Sequence, residues 1–323
     1  MATNSTVAGS RIAVMGAGAV GSYFGGMLAR AGARVTLIAR PAHVEAIRAN
    51  GLFIDSVKFQ ERVSIGASTE VSSASDAEII LFCVKTLDTE DAARALAPHL
   101  APGAIVVSLQ NGVDNVARIR AASGIDALPS VVYVAAAMPE PGRVKHSGRG
   151  DLVVGELTGS THASRAERIA AIFTAADVPC RVSANIEADL WTKLIMNCAG
   201  NAVTALAHTS YGRAARDPKT REVMRRVIEE TVAVARGLGV RLPDVDLVET
   251  GLKLAETLGE ATSSTAQDIA RGKRTEIGSL NGYVVKRGAE LGIPTPVNLT
   301  LDALVSLLEQ VAAQQARPAG ANQ

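Results

Sequence analysis

Four polar side chains recur along one mostly apolar stretch of this chain: Lys193, Asn197, Asn201 and Thr204. At about 100° per residue of a helix they fall within an arc of roughly 80°. Trp191, Ile195, Cys198, Ala202 and Leu206 take the opposite arc. A helix face turned to water would carry Glu, Lys and Arg, whereas this one carries a single lysine, then amides and a hydroxyl. Buried amides must be hydrogen-bonded. The stripe is therefore either the wall of a cleft for a small hydroxylated or carbonyl substrate, or a polar network between domains. Further on, a helical reading of 275–291 puts Glu276 on one arc with Leu280, Tyr283, Val284 and Leu291. A carboxylate on an apolar stripe needs a partner, and Lys193 is a candidate. Ser264, after Ser263, opens another helical run. It could bind an anion through its hydroxyl and the backbone N–H groups, although the commoner role of a serine there is to cap the helix.

A second group lies near the N-terminus. Gly16, Ala17, Gly18, Ala19, Val20 and Gly21 follow the apolar run Arg11–Met15 and lead into a helical pattern. This is GxGxxG in the context it needs. The first glycine permits a tight turn, the second lets backbone approach a pyrophosphate, and the third allows close helix–strand packing. The bland reading is a tight turn without a ligand. The next strand ends at Arg40, with no Asp or Glu until Glu45. An acidic residue there would hold the 2′-hydroxyl of NAD, whereas a guanidinium suits a 2′-phosphate, so NADP(H) is the expected coenzyme. The alternative for Arg40 is a solvated surface arginine. Lys85 and Asn111 close two later strands, within Val84-Lys85-Thr86 and Gln110-Asn111-Gly112. Alone, one is an exposed lysine and the other a turn residue. Their shared place at strand ends, where such sheets bind ligands, makes both candidates.

The elements that must position these groups change character along the chain. Arg11–Met15, Arg34–Ala39, Glu78–Val84 and Ala104–Leu109 are short apolar runs alternating with helical patterns at 19–31, 88–100 and 113–122. Strands covered on both faces read this way, so the expected fold is α/β, a Rossmann-type doubly wound parallel sheet. Leu128–Ala137 is one more strand, Met138–Gly142 turns the chain, and Arg143–His146 with Asp151–Gly155 suggest a hairpin. From 185 onward only helical periodicity remains, at 185–207, 217–238, 244–258, 264–291 and 299–314. The expected domains are therefore 1–183, which would bind the coenzyme, and an all-helical C-terminal domain, 184–323.

Composition narrows the partners. Among 323 residues, 33 basic against 32 acidic side chains leave a net charge of +1. That is no field for nucleic acid or anionic lipid. Aromatics at 3% argue against a base-stacking surface. Cys83, Cys180 and Cys198 form no CxxC pair, which points to a reducing compartment without a disulfide framework or structural zinc. No His/Asp/Glu cluster has ligand spacing, so no metal is expected. The uncharged run Leu194–Gly212 holds Asn197, Asn201 and His208 and reads as a buried helix rather than a membrane span. The polar start lacks the apolar core of a signal peptide, so the expected location is cytoplasmic. Apolar helices in the second domain could pair between subunits, which leaves a homodimer open.

Together these residues resemble the ketopantoate reductase (2-dehydropantoate 2-reductase) family, from Arg11 to about Leu308. The marks are GAGAVG at 16–21, VKT at 84–86, QNG at 110–112, ADLWTKLIMNCAGNAVTAL at 188–206 and SSTAQDIARGKRTEIGSLNG at 263–282. The last two are the most specific. The resemblance implies a cleft between the two domains and NADPH-dependent reduction of ketopantoate to pantoate, a step toward pantothenate and coenzyme A. By resemblance Lys193 is the proton donor, Asn197 and Asn201 contact substrate, Ser264 helps bind it, and Asn111 lies between coenzyme and substrate. Glu276 matches the acidic residue of the coenzyme–substrate site, and Arg40 and Lys85 match coenzyme-side basic residues. The partner implied is a small 2-oxo acid. The chain departs from the family pattern at Ala261, at Tyr211 and in TEIGSLNG, where TEIDYLNG is common. These departures open a second reading, a reductase of another branched 2-oxo acid or ketone. A third, a non-catalytic NADPH sensor, would need the glycine turn and Arg40 but not Lys193 with Glu276.

Overall fold

The computed structural model describes residues 7–157, 159 and 164–315, excepting the side chain of Gln315. It divides into two compact units, the first ending at Asp189 and the second beginning at Leu190.

The first unit begins β1 (Arg11–Met15), α1 (Ala19–Arg30), β2 (Arg34–Ile38), α2 (Pro41–Asn50), β3 (Leu52–Ser56), β4 (Gln60–Val63) and β5 (Gly66–Ser68). It continues β6 (Ile79–Phe82), α3 (Thr89–Leu96), β7 (Ile105–Ser108), α4 (Asn115–Ser123), β8 (Leu128–Glu140), β9 (Arg143–Val154), α5 (Ser164–Ala175) and β10 (Cys180–Val182). Strands β5, β2, β1, β6, β7 and β8 lie side by side and parallel. The unbroken apolar character of these strands follows from burial on both sides. Val14, Leu37, Leu81 and Val107 share a core with Phe24, Met27 and Leu28 of α1. Ala13, Ile38, Ile80, Phe82 and Val106 pack on the other face with Ala92, Ala93 and Leu96 of α3 and Ile119 of α4. This is the doubly wound sheet expected.

Beyond β8 the structure departs from the sequence reading. Arg143–His146 and Asp151–Val154 do not pair with each other. They are parts of the single strand β9, antiparallel to β8, and β8 itself runs on to Glu140. The segment Ser147-Gly148-Arg149-Gly150 resembles a turn in sequence, yet it is absorbed as bulges. Tyr133 opposes Asp151 while Val134 opposes Arg149, and Ala135 opposes Gly148 while Ala136 opposes His146. Strand β9 then pairs with β3 and β10, and β4 closes that edge.

Helix α6 (Ile186–Leu206) leads into the second unit, followed by α7 (Tyr211–Arg216), α8 (Pro218–Gly237), α9 (Leu247–Leu258), α10 (Ser264–Ala270), α11 (Asn281–Leu291) and α12 (Pro296–Gln315). No strand occurs among its described residues. A buried polar chain ties four helices. The Asn281 amide donates to the Cys198 carbonyl (3.2 Å) and to Asn298 Oδ1 (3.0 Å), and Asn298 Nδ2 donates to Glu230 (2.8 Å). Glu230 also accepts the backbone N–H groups of Val297 and Asn298, both at 2.9 Å. A carboxylate from α8 thus satisfies the orphan donors that begin α12. The helix expected over 264–291 is broken. Gly272, at φ 61°, follows α10, and Thr275 donates its N–H and hydroxyl to Glu309 of α12, both at 2.8 Å. Glu276 therefore precedes a 3-10 turn (Ile277–Ser279) and does not share a helical arc with Tyr283 and Leu291. The uncharged run from Leu194 is also interrupted: α6 stops at Leu206, and His208 takes a positive φ of 47°. No helix among the described residues is long and apolar enough to cross a membrane.

Candidate active site

In the first unit the three glycines of the turn have three different reasons. Gly16 sits at φ +88°, and a Cβ there would lie 2.7 Å from the Val84 backbone nitrogen, so only glycine fits. Gly21 presses α1 onto the sheet, where a Cβ would stand 2.7 Å from Val14 Cγ1 and 2.9 Å from the Gly16 carbonyl. Gly18 has no such cause. Its φ is −78°, it is exposed, and a Cβ would meet nothing within 4 Å. It is also the N-cap of α1 and offers no side chain to the first helical N–H groups. Open space over unpartnered donors is the cradle that a pyrophosphate fills by charge and shape. Ala17 is buried, with its N–H and that of Gly16 donated to the Ile38 carbonyl at 3.0 and 3.2 Å, while Ala19 and Val20 form the half-buried first turn.

Arg40 lies two residues past β2 as the exposed residue before α2, with Pro41 in the first turn. Among the described residues its guanidinium makes no hydrogen bond or ion pair. Lys85 is exposed at the end of β6. The Asn111 carbonyl accepts from Thr86 Oγ1 (3.1 Å) and Asn115 Nδ2 (2.6 Å), and Gln110 Nε2 donates to the Val84 carbonyl (3.1 Å). The two loops after β6 and β7 are thus bonded to each other. Val84 also closes over Gly16, so the glycine turn, Lys85 and Asn111 gather at one edge of the sheet.

In the second unit the polar stripe of α6 is divided. At its C-terminal end, Thr204 Oγ1 donates to Ser263 Oγ (2.8 Å), which donates to the Asn201 carbonyl (3.2 Å). The Tyr211 hydroxyl donates to Asn201 Oδ1 (2.7 Å), and burial pushes the proton affinity of that phenol up. Nearer the N-terminal end, Lys193 and Asn197 are half-buried, and Asn197 has no hydrogen bond from its side chain among the described residues. Ser263, not Ser264, caps α10: its Oγ accepts from the Ala266 N–H (3.0 Å). Ser264 is left exposed in the first turn without a side-chain partner among the described residues, beside the stripe that Ser263 contacts. Glu276 is half-buried at the end of the segment that Glu309 anchors. Helix α11, which follows it, meets α6 through Trp191–Tyr283 (centroids 6.0 Å apart) and Asn281–Cys198.

Sequence reasoning overlooked Glu309, since its bond to Thr275 spans 34 positions. It overlooked the Tyr211–Asn201 bond as well. A signal for that bond was present: Gly200 lies inside a helix, where a glycine costs about 1 kcal/mol against alanine and wants a packing reason. That reason is the Tyr211 ring, which a Cβ on Gly200 would meet at 2.5 Å.

A strand–glycine turn–helix unit heading a parallel sheet, followed by an all-helical unit with a polar helix face, defines a Rossmann-type protein of the kind that pairs a nucleotide domain with a helical one. The family model described as Ketopantoate reductase PanE/ApbA matches residues 12–159, and Ketopantoate reductase PanE/ApbA C terminal matches residues 185–309. The chain belongs to the ketopantoate reductase family, a family of oxidoreductases. The 2-dehydropantoate 2-reductase of Halobacterium salinarum is 35% identical, covering 93% of this chain and 99% of its own. The crystal structure of a PanE/ApbA family ketopantoate reductase from Ralstonia eutropha JMP134 is 50% identical with a TM-score of 0.87, covering 93% of this chain and 99% of that one. D-mandelate dehydrogenase, solved with NADH and anilino(oxo)acetate, shares the fold at a TM-score of 0.86 and 23% identity, over 93% of this chain and 99% of that one.

Proposed function

We propose that the chain reduces 2-dehydropantoate to pantoate with NADPH, on the way to pantothenate and coenzyme A. The observation that carries this reading is the divided stripe of α6. Its C-terminal half is largely occupied by the protein's own hydrogen bonds, while the carboxamide oxygen and nitrogen of half-buried Asn197, one helical turn from Lys193, are unspent among the described residues. A purely structural network would have consumed those groups too.

When bound, the reduced nicotinamide supplies the hydride to the substrate carbonyl carbon. Gly18 leaves room for the pyrophosphate, the first N–H groups of α1 donate to its oxygens, and Arg40 pairs with the 2′-phosphate. Lys85 and Asn111 serve the same sheet edge. Asn197 and Asn201 hold the substrate hydroxyl, and Ser264 and Asn111 hold its carboxylate side. Lys193 polarises the carbonyl and gives its proton to the developing alkoxide, and Glu276 orients the ammonium. No step in this scheme requires a metal, because an ammonium suffices to polarise the carbonyl.

The test is the loss of NADPH absorbance on adding ketopantoate to purified protein. Rapid, saturable loss is expected, and no loss would refute the reading. One observation favours a second substrate on the same scaffold: the Tyr211 hydroxyl takes up Asn201 Oδ1, which alters what the stripe can offer. Comparing kcat/KM for ketopantoate with other branched 2-oxo acids separates the two.

A further inference from the structure

Asn201 is a carboxamide with one acceptor oxygen and two donor hydrogens on nitrogen. It is 2% exposed, and Oδ1 is taken by the Tyr211 hydroxyl at 2.7 Å. Nδ2 has no protein partner among the described residues, yet it is not one of the atoms sealed from solvent without a partner. The unspent part of Asn201 is therefore its donor end.

Tyr211 is itself held at three points. Its N–H donates to the Ala261 carbonyl (3.0 Å), and that of Gly212 donates to the Gly259 carbonyl (2.8 Å). Its ring lies against Gly200, where no Cβ could fit. The preceding Ser210 caps α7 by accepting from the Arg213 N–H. The phenol stays protonated across the working pH range, because burial raises its proton affinity. Among the described residues Asn201 Oδ1 is the acceptor that the buried hydroxyl proton finds, so turning the carboxamide over would leave that proton unsatisfied, and the orientation with Oδ1 toward Tyr211 is favoured. A preorganised group loses less freedom on binding than one that must first turn.

We propose that Tyr211 is a positioning residue that locks the Asn201 carboxamide with its NH2 toward the substrate, so that this position recognises only a hydrogen-bond acceptor. The group taken there is an oxygen of the substrate's carboxylate, carbonyl or hydroxyl, and never an N–H donor. The inference rests on the reading of the α6 stripe as a substrate wall.

The experiment is a double-mutant cycle on the full chain at saturating NADPH, using Tyr211→Phe, Asn201→Ala and the double variant, with ketopantoate as substrate. Phenylalanine keeps the ring on Gly200 and removes only the hydroxyl. Tyr211→Phe should raise KM about five- to tenfold, change kcat less than KM, and leave NADPH affinity as in the wild type. In the Asn201→Ala background the same substitution should have no further effect on KM, because Tyr211 acts through Asn201. An unchanged KM in Tyr211→Phe overturns the inference, and so does an equal rise in both backgrounds. Either result would leave the wall itself standing if Asn197→Ala still raises KM. A wild-type chain that does not oxidise NADPH with ketopantoate sinks the reading of the site and this inference together.

Discussion

Replacing Gly18 with alanine should separate coenzyme binding from folding. A Cβ at Gly18 meets no atom within 4 Å, and the backbone there has a negative φ of −78°. Nothing in the protein opposes the added methyl. Gly→Ala at a compatible position changes stability by roughly 0.4–1 kcal/mol in the stabilising direction, through the unfolded chain. The ligand-free protein should therefore melt at or slightly above the wild-type temperature. The methyl would instead stand where the pyrophosphate must approach the helix N-terminus. Overpacking of that kind costs about 1–3 kcal/mol, which is roughly a 5- to 150-fold rise in Kd for NADPH. Gly16→Ala is the contrast. Its φ of +88° and the Val84 backbone nitrogen 2.7 Å from the new Cβ make that variant lose stability before any ligand is added. The assay is thermal unfolding without coenzyme, together with a fluorescence titration of NADPH. Wild-type affinity in a well-folded Gly18→Ala protein would refute the argument that this space receives phosphate.

Arg40→Ala should weaken NADPH at least tenfold while leaving NADH within twofold, as read by parallel titrations, and equal losses would remove the 2′-phosphate role. Glu309→Ala strips the acceptor from the Thr275 N–H and hydroxyl. It should cost about 1–3 kcal/mol of stability and lower kcat/KM for ketopantoate roughly tenfold at unchanged NADPH affinity, because the adjoining Glu276 loses its anchor. Asp217 caps α8 through the Lys219 and Thr220 N–H groups, and those bonds hold its carboxyl below the usual range. Its contribution is therefore complete above the ordinary carboxylate pKa and lost as pH falls through the lowered value, so Asp217→Asn should flatten the acid limb of a Tm-against-pH curve.

What could be read from sequence was what local physics determines. Strands β1, β2, β6 and β7 were legible because burial on both faces leaves three or more apolar residues in runs of four or five. The glycine turn was legible because its spacing falls between an apolar strand and a helix, where Gly16 and Gly21 answer to close neighbours while Gly18 faces open space. Elements stabilised by distant partners were not. The bulged middle of β9 carries turn residues, and only its pairing with β8 keeps it extended. Strand β5, Gly-Ala-Ser, is too short to show a pattern and owes its existence to β2. Helical periodicity runs through Arg271–Glu276, yet Thr275 is bonded to Glu309 outside any helix, so Glu276 shares no helical arc with Tyr283 and Leu291. On α6 the spacing correctly identified a polar face. Which of its groups are already bonded depends on Tyr211 and Ser263, supplied by other helices.

The account's central claim is that Lys193 gives the proton in a reduction whose hydride comes from NADPH. Single-turnover mixing of ketopantoate with the protein–NADPH complex, wild type against Lys193→Ala, tests it most directly. The account predicts fast NADPH oxidation in the wild type and a loss of at least a thousandfold in the variant, with its NADPH affinity within a few-fold of normal. Oxidation at near wild-type speed in Lys193→Ala would contradict it.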